Sequence, residues 1–96
     1  MASIRTTHVG STLTIKKIAQ WSGISGHCTL QNHSDHPYCP YPKTNDPNKI
    51  LTVGTKLSVI YKGKRETKWS QSFVTVKDDR GNVFDILSAD LSKYCA

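Results

Sequence analysis

Ninety-six residues carry a formal charge of +6, from thirteen Lys and Arg against seven Asp and Glu, and 36% of them are hydrophobic. That length suits one domain, and the composition is neither that of a disordered tail nor, lacking any run of about 18 apolar residues, that of a membrane-spanning helix. The positive balance favours polyanions, meaning nucleic acid, nucleotides or acidic protein surfaces, with plain solubility as the alternative. The opening residues, Met1 to Arg5, hold no apolar run of signal-peptide length, so the expected location is a cytoplasm. Cys28, Cys39 and Cys95 make an odd count, which argues for free thiols or metal ligands over a disulfide scaffold.

In chain order, residues 8–15 (His-Val-Gly-Ser-Thr-Leu-Thr-Ile) and 52–59 (Thr-Val-Gly-Thr-Lys-Leu-Ser-Val) share Val, Gly and Leu at matching positions. Both look like a turn glycine leading into a strand, through duplication or by chance. The stretch Thr14 to Ser25 has two readings. As a helix, Ile15, Ile18, Ala19 and Ser22 form one stripe ended by Gly23. That string resembles the first half of a helix-turn-helix of the lactose-repressor type, which would imply DNA binding through residues 14–32. The likeness stops at Gly26-His27-Cys28, where a recognition helix should begin. As strands, Leu13, Ile15 and Lys17 alternate, Ser22 to Gly26 turn, and His27 to Gln31 return. The hairpin is preferred, because a two-helix fragment cannot close its own core.

Residues 32–48 read as a long loop, because Pro37, Pro40, Pro42 and Pro47 exclude a central strand or helix. Three β-prone runs follow: Ile50–Val53 with Leu57–Tyr61, then Phe73–Val76, then Val83–Leu87. Asp78 to Asn82 is their tight turn, with Gly81 suited to positive φ. Ser88 reads as the cap of a single helical turn that buries Leu91. The order "Leu-x-Val-Gly-x-x-Leu-x-Val, basic loop, Phe-Val-x-Val-x-Asp-Asp-x-Gly-Asn-x-Phe-x-Ile" over residues 50–94 resembles the small SH3-like β-barrels of phage-encoded and bacterial accessory proteins. The resemblance implies an SH3-like barrel in the C-terminal part, 50–96. It also suggests an accessory or anti-defence role. Residues 1–49, read from their own patterning as an N-terminal hairpin and a Pro-rich loop, have no counterpart in it and either complete the barrel or decorate it, and the whole reads as one mainly β domain.

Two constellations carry the functional expectation. Lys62, Lys64, Arg65 and Lys68 with Tyr61 and Trp69 combine cations with rings, which suits phosphates and stacked bases; Lys16 and Lys17 extend this face if the hairpin forms. Alternatively, Trp69 is a core anchor beneath a solvated hairpin. The second constellation is Cys28, His33, His36 and Cys39, whose soft ligands within a short span suit zinc, although no Cys-x2-Cys knuckle is present. A Cys28–Cys39 disulfide and a simple polar loop are the alternatives. Seven carboxylates without a spaced pair, and no orienting group beside any Cys or His, argue against an enzyme. The expectation is a non-enzymatic binding module for a polyanion. Its rival is a zinc-stabilised adaptor that presents His36 to Pro42 to a host protein.

Overall fold

Alternation of apolar and polar residues sorts most of this chain into strands with a core face and an outer face. The computed structural model describes residues 3–24, 27–32, 46–64 and 72–96, with backbone alone at 22–24, 27–29, 31–32 and 64. Seven strands are formed among these residues: β1 (Thr12–Thr14), β2 (Ala19–Ile24), β3 (His27–Asn32), β4 (Ile50–Leu51), β5 (Lys56–Lys64), β6 (Ser72–Lys77) and β7 (Val83–Leu87). A 3-10 turn (Pro47–Lys49) precedes β4, and one helix, α1 (Ser88–Tyr94), follows β7. The fold is mainly β, as the sequence implies.

The strands form two antiparallel sheets, ordered β1-β5-β6-β7 and β3-β2-β4. The C-terminal half therefore does not build its sheet alone. β1, from the N-terminal half, covers the edge of β5, while β4 pairs with β2 in the other sheet. The core lies between the sheets and under α1. Leu57 and Val59 of β5, Val74 and Val76 of β6, and Phe84 and Ile86 of β7 all face it, as does Leu91 of α1. Burying each such side chain contributes roughly 1.5–3 kcal/mol.

The hairpin reading of the N-terminal half holds with shifted arms. The outgoing arm is β2, at Ala19 to Ile24 and not at Leu13 to Lys17, and the return is β3, paired as Trp21 opposite Leu30 and Gly23 opposite Cys28. The helix-turn-helix reading of residues 14–32 is corrected: none of the described residues there is helical, and most lie in β2 and β3. Ser22-Gly23 and Ser25-Gly26 disfavour a helix, and the ladder with β3 and β4 satisfies the β2 backbone groups. At the other end, α1 runs on to Tyr94 in place of a single turn. Leu87, not Ser88, stands at its cap position; Leu91 is buried as expected, and Tyr94 with it.

The two similar windows face each other across a local two-fold axis. Leu13 of β1 sits opposite Leu57 of β5. Gly10 N donates to Val59 O at 2.9 Å and Gly54 N to Ile15 O at 2.8 Å, while Val59 N donates to Ser11 O and Ile15 N to Thr55 O, both at 2.9 Å. Gly10 and Gly54 turn with φ of +92° and +94°, a region that glycine enters freely. β1 is flanked on its other side by the C-terminus, where Lys16 N donates to Tyr94 O and Ala96 N to Thr14 O, each at 2.8 Å.

A polar latch joins the sheets. The buried Asp78 carboxylate accepts from the backbone N–H groups of Arg80 and Asn82, both at 2.9 Å, closing the β6–β7 turn. Arg80 then reaches back to the 3-10 turn and β4. It donates to the carbonyls of Pro47, Asn48 (3.1 Å) and Ile50 (3.0 Å) while paired with Asp78 at 3.2 Å. Burial alone would raise the Asp78 carboxyl, but the hydrogen bonds from Asn82 and Arg80 outweigh it and hold the group below its ordinary value of 3.8. A second link is Trp21 of β2, stacked on Phe84 of β7 with ring centroids 5.4 Å apart.

Candidate functional site

The site follows from which side chains share the outer face of the β1-β5-β6-β7 sheet. Directly opposed residues point to the same side, and Val76 and Phe84 point inward with Val59. The next row, Tyr61–Thr75–Asp85, therefore points outward, as do the rows Ser58–Lys77–Val83 and Gly63–Phe73–Leu87 on either side of it. Thr14 and Lys56 continue the face at the start of β5.

A break in the β5 ladder places the tyrosine. The register shifts between Val59 and Tyr61, so that Ile60 and Tyr61 are both exposed, at 46% and 56%. A bulge of this kind re-aims the residues after it. The Tyr61 ring lies 6.0 Å from the Phe73 ring at 43°. Both rings lean over Gly63, where a Cβ would sit 2.7 Å from Tyr61 Cε1 and 2.9 Å from Phe73 Cζ. The result is an aromatic shelf with glycine at its floor, where any side chain would push the rings aside.

Charges are distributed unevenly around the shelf. Lys77 and Lys56 lie on the same face toward the start of β5, and Lys56 Nζ donates to Thr14 Oγ1 at 2.8 Å. Asp85 marks the β7 side, where its carboxylate accepts from Thr75 Oγ1 at 2.6 Å. Tyr61 is the exposed ring of the pair and Phe73 is half-buried; an exposed ring bordered by lysines can stack a planar group and hold its phosphates.

The sequence-derived residues divide among several places. Tyr61 stands on the shelf. Lys62 pairs with Val74 and so belongs to the core-facing side of the sheet, half-buried. Only the backbone of Lys64 is described, opposite Ser72; Arg65, Lys68 and Trp69 lie outside the described residues. Lys16 and Lys17 follow β1 and therefore sit at the start of β5, at the opposite end from Tyr61. There Lys17 and Lys93 stand 5.9 and 5.2 Å from the centroid of the Tyr94 ring. The hairpin thus does not bring Lys16 and Lys17 to the tyrosine. Of the candidate zinc ligands, Cys28 is described by backbone only, in β3, and His33, His36 and Cys39 lie outside the described residues, as does the His36–Pro42 segment. Among the described residues no three His, Cys, Asp or Glu side chains gather as metal ligands, and no helix is long and apolar enough to cross a membrane.

Phe73, Gly63, Lys56 and Lys77 were not singled out by sequence. The signal for Phe73 and Lys77 lay in strand parity: with Val74 and Val76 inside, both must face out. An open cleft of about 390 Å³ beside the latch is lined by Pro47, Ile50, Thr52, Thr55, Asp79 and Arg80. The Arg80 guanidinium is committed there to backbone carbonyls and Asp78, which makes it a strut between the sheets. Comparison with protein-family models, curated proteins and solved structures finds no match to the chain.

Proposed function

We propose that the protein is a non-enzymatic binding module for a polyanion that carries a planar ring, either nucleic acid or a nucleotide-type ligand, held on the outer face of the four-stranded sheet. The observation that carries this reading is the exposed Tyr61 ring set against Phe73 over Gly63. A large ring that only filled space would be turned inward, where its area stabilises the fold. Here it faces water beside lysines, in a chain of net charge +6. Stacking on such a ring contributes about 1–3 kcal/mol per base, and the surrounding cations add a salt-dependent attraction.

The test is a titration of the purified chain with a labelled oligothymidylate at several salt concentrations, read by fluorescence anisotropy. The expected result is affinity that falls steeply with salt and drops roughly 5- to 150-fold in Tyr61→Ala, the equivalent of losing one stacked base. Binding that ignores both salt and the loss of the ring refutes the proposal.

A further inference from the structure

The outer-face rows run in a fixed order along the β5–β6 pair: Lys56, then Ser58 with Lys77, then Tyr61 with Thr75, then Gly63 with Phe73. Two aromatic rings thus occupy one end and two lysines the other. Successive rows are two residues apart, so the whole track spans about 20 Å at ~3.3 Å per residue. Lys56 is drawn toward β1 by Thr14, while the Asp85 carboxylate lies on the β7 side. A phosphate is attracted to the lysines of this face, which stand on β5 and at the end of β6.

We infer that the ligand is single-stranded nucleic acid, lying along β5–β6 with bases stacked on Tyr61 and Phe73 and its backbone continuing over Lys77 and Lys56. This rests on the binding reading above and adds a ligand class, a direction and a footprint. A mononucleotide spans only the aromatic end. A duplex keeps its bases stacked inside and offers none to the rings. The track suits about four nucleotides, the lower end of the ~4–16 covered by small β-barrel single-strand binders. The two ends act differently: the rings add affinity that salt does not weaken, whereas each lysine that neutralises a phosphate adds about 0.7 to the slope of log affinity against log salt.

The experiment measures anisotropy with dT1, dT2, dT4, dT8 and a duplex of equal length, using the full chain and the variants Lys56→Glu, Lys77→Glu, Tyr61→Ala and Phe73→Leu. Phe73→Leu keeps bulk beneath the face, so the aromatic end is tested even if a smaller residue there would unfold the chain. The inference expects affinity to rise at least 10-fold from dT1 to dT4, little gain beyond, and a single strand preferred over duplex at least 10-fold. Each lysine variant should flatten the salt slope by 0.7 or more, and each ring variant should weaken binding with the slope unchanged. If dT1 binds as tightly as dT8, if duplex competes equally, or if lysine reversal leaves the slope intact, the track is overturned while the binding module stands. If none of these ligands binds, both fall.

Discussion

Asp78→Ala should strongly destabilise this fold. The carboxylate accepts five hydrogen bonds: two from turn N–H groups at 2.9 Å, one from Asn82 Nδ2 at 3.2 Å, and two from Arg80 at 3.3 and 3.2 Å. A hydrogen bond to a charged group nets about 1.5–3 kcal/mol and a neutral one about 0.5–1.5. The Arg80 side chain is 35% exposed, so water takes back part of its share. The loss should then be about 2–4 kcal/mol, well short of the simple sum. At ~4–8 °C per kcal/mol for a domain of this size, the melting temperature falls by roughly 8–32 °C. Asp78→Asn keeps one acceptor and should fall between the two. Arg80→Ala combined with Asp78→Ala should cost less than the two singles added, because both cut one network.

The same carboxylate sets a pH dependence. Its folded pKa lies below its ordinary 3.8, so the unfolded chain binds more protons in that window. The stability it confers is complete above pH 3.8 and is lost as pH falls through the lower, folded value. The gap between parent and Asp78→Ala should therefore close in acid. Thermal melts followed by circular dichroism decide the matter: an Asp78→Ala chain that melts within about 3 °C of the parent at neutral pH would remove the latch from the account of stability.

The Cys95 thiol is fully buried, and burial pushes its pKa up to about 11, aided by Asp90 and opposed by Lys16. Iodoacetamide at pH 8 should label Cys95 only after denaturation, as read by peptide mass spectrometry; native labelling at the denatured rate would contradict this. Gly63→Ala should cost about 1–2 kcal/mol in urea melts, since Tyr61 is exposed and can yield. Oligonucleotide affinity should drop as in Tyr61→Ala, and unchanged affinity would count against the shelf. Gly10→Ala and Gly54→Ala should each cost about 1–2 kcal/mol, matched to within about 0.5, because both force a side chain into positive φ at equivalent ends of one two-fold pair. Grossly unequal losses would mean that the two turns are not equivalent.

What could be read ahead of the structure follows the reach of each physical rule. Strand identity rests on local alternation, so β5, β6, β7 and the glycine turns were legible, and so was the likeness of residues 8–15 to 52–59. Pairing between distant strands has no local signature. That β1 would lie against β5, and β4 against β2, depends on closing loops of some forty and thirty residues. The same limit misplaced Lys16 and Lys17: they were grouped with Tyr61 by charge, while the register carries them to the other end of β5. The latch was half legible, since Asp78 was expected in a turn for local reasons. Nothing local foretold that Arg80 would leave the turn to bind carbonyls of residues 47, 48 and 50.

Tyr61 reaches the outer face by an exception to alternation, and that exception makes a last prediction. From Leu57 and Val59, both inward, an unbroken count would turn Tyr61 into the core and Lys62 out to solvent. The bulge inserts Ile60 between residues that face consecutive partners, Val76 and Thr75 on β6, so the ladder resumes with Tyr61 outward. Deleting Ile60 should then leave Tyr61 opposite Thr75 in a regular ladder and cost little core, since Ile60 is 46% exposed. Deleting Thr75, in β6 between two partner strands and with no bulge on its β7 side, has no spare residue to absorb it and throws Val74 and Val76 out of phase. Circular dichroism and oligonucleotide affinity separate the two cases: the chain lacking Ile60 should fold and bind within a few-fold of the parent, while the chain lacking Thr75 should lose its cooperative melt. If losing Ile60 abolishes binding in a chain that still folds, the outward tyrosine depends on more than the register, and the shelf needs a different explanation.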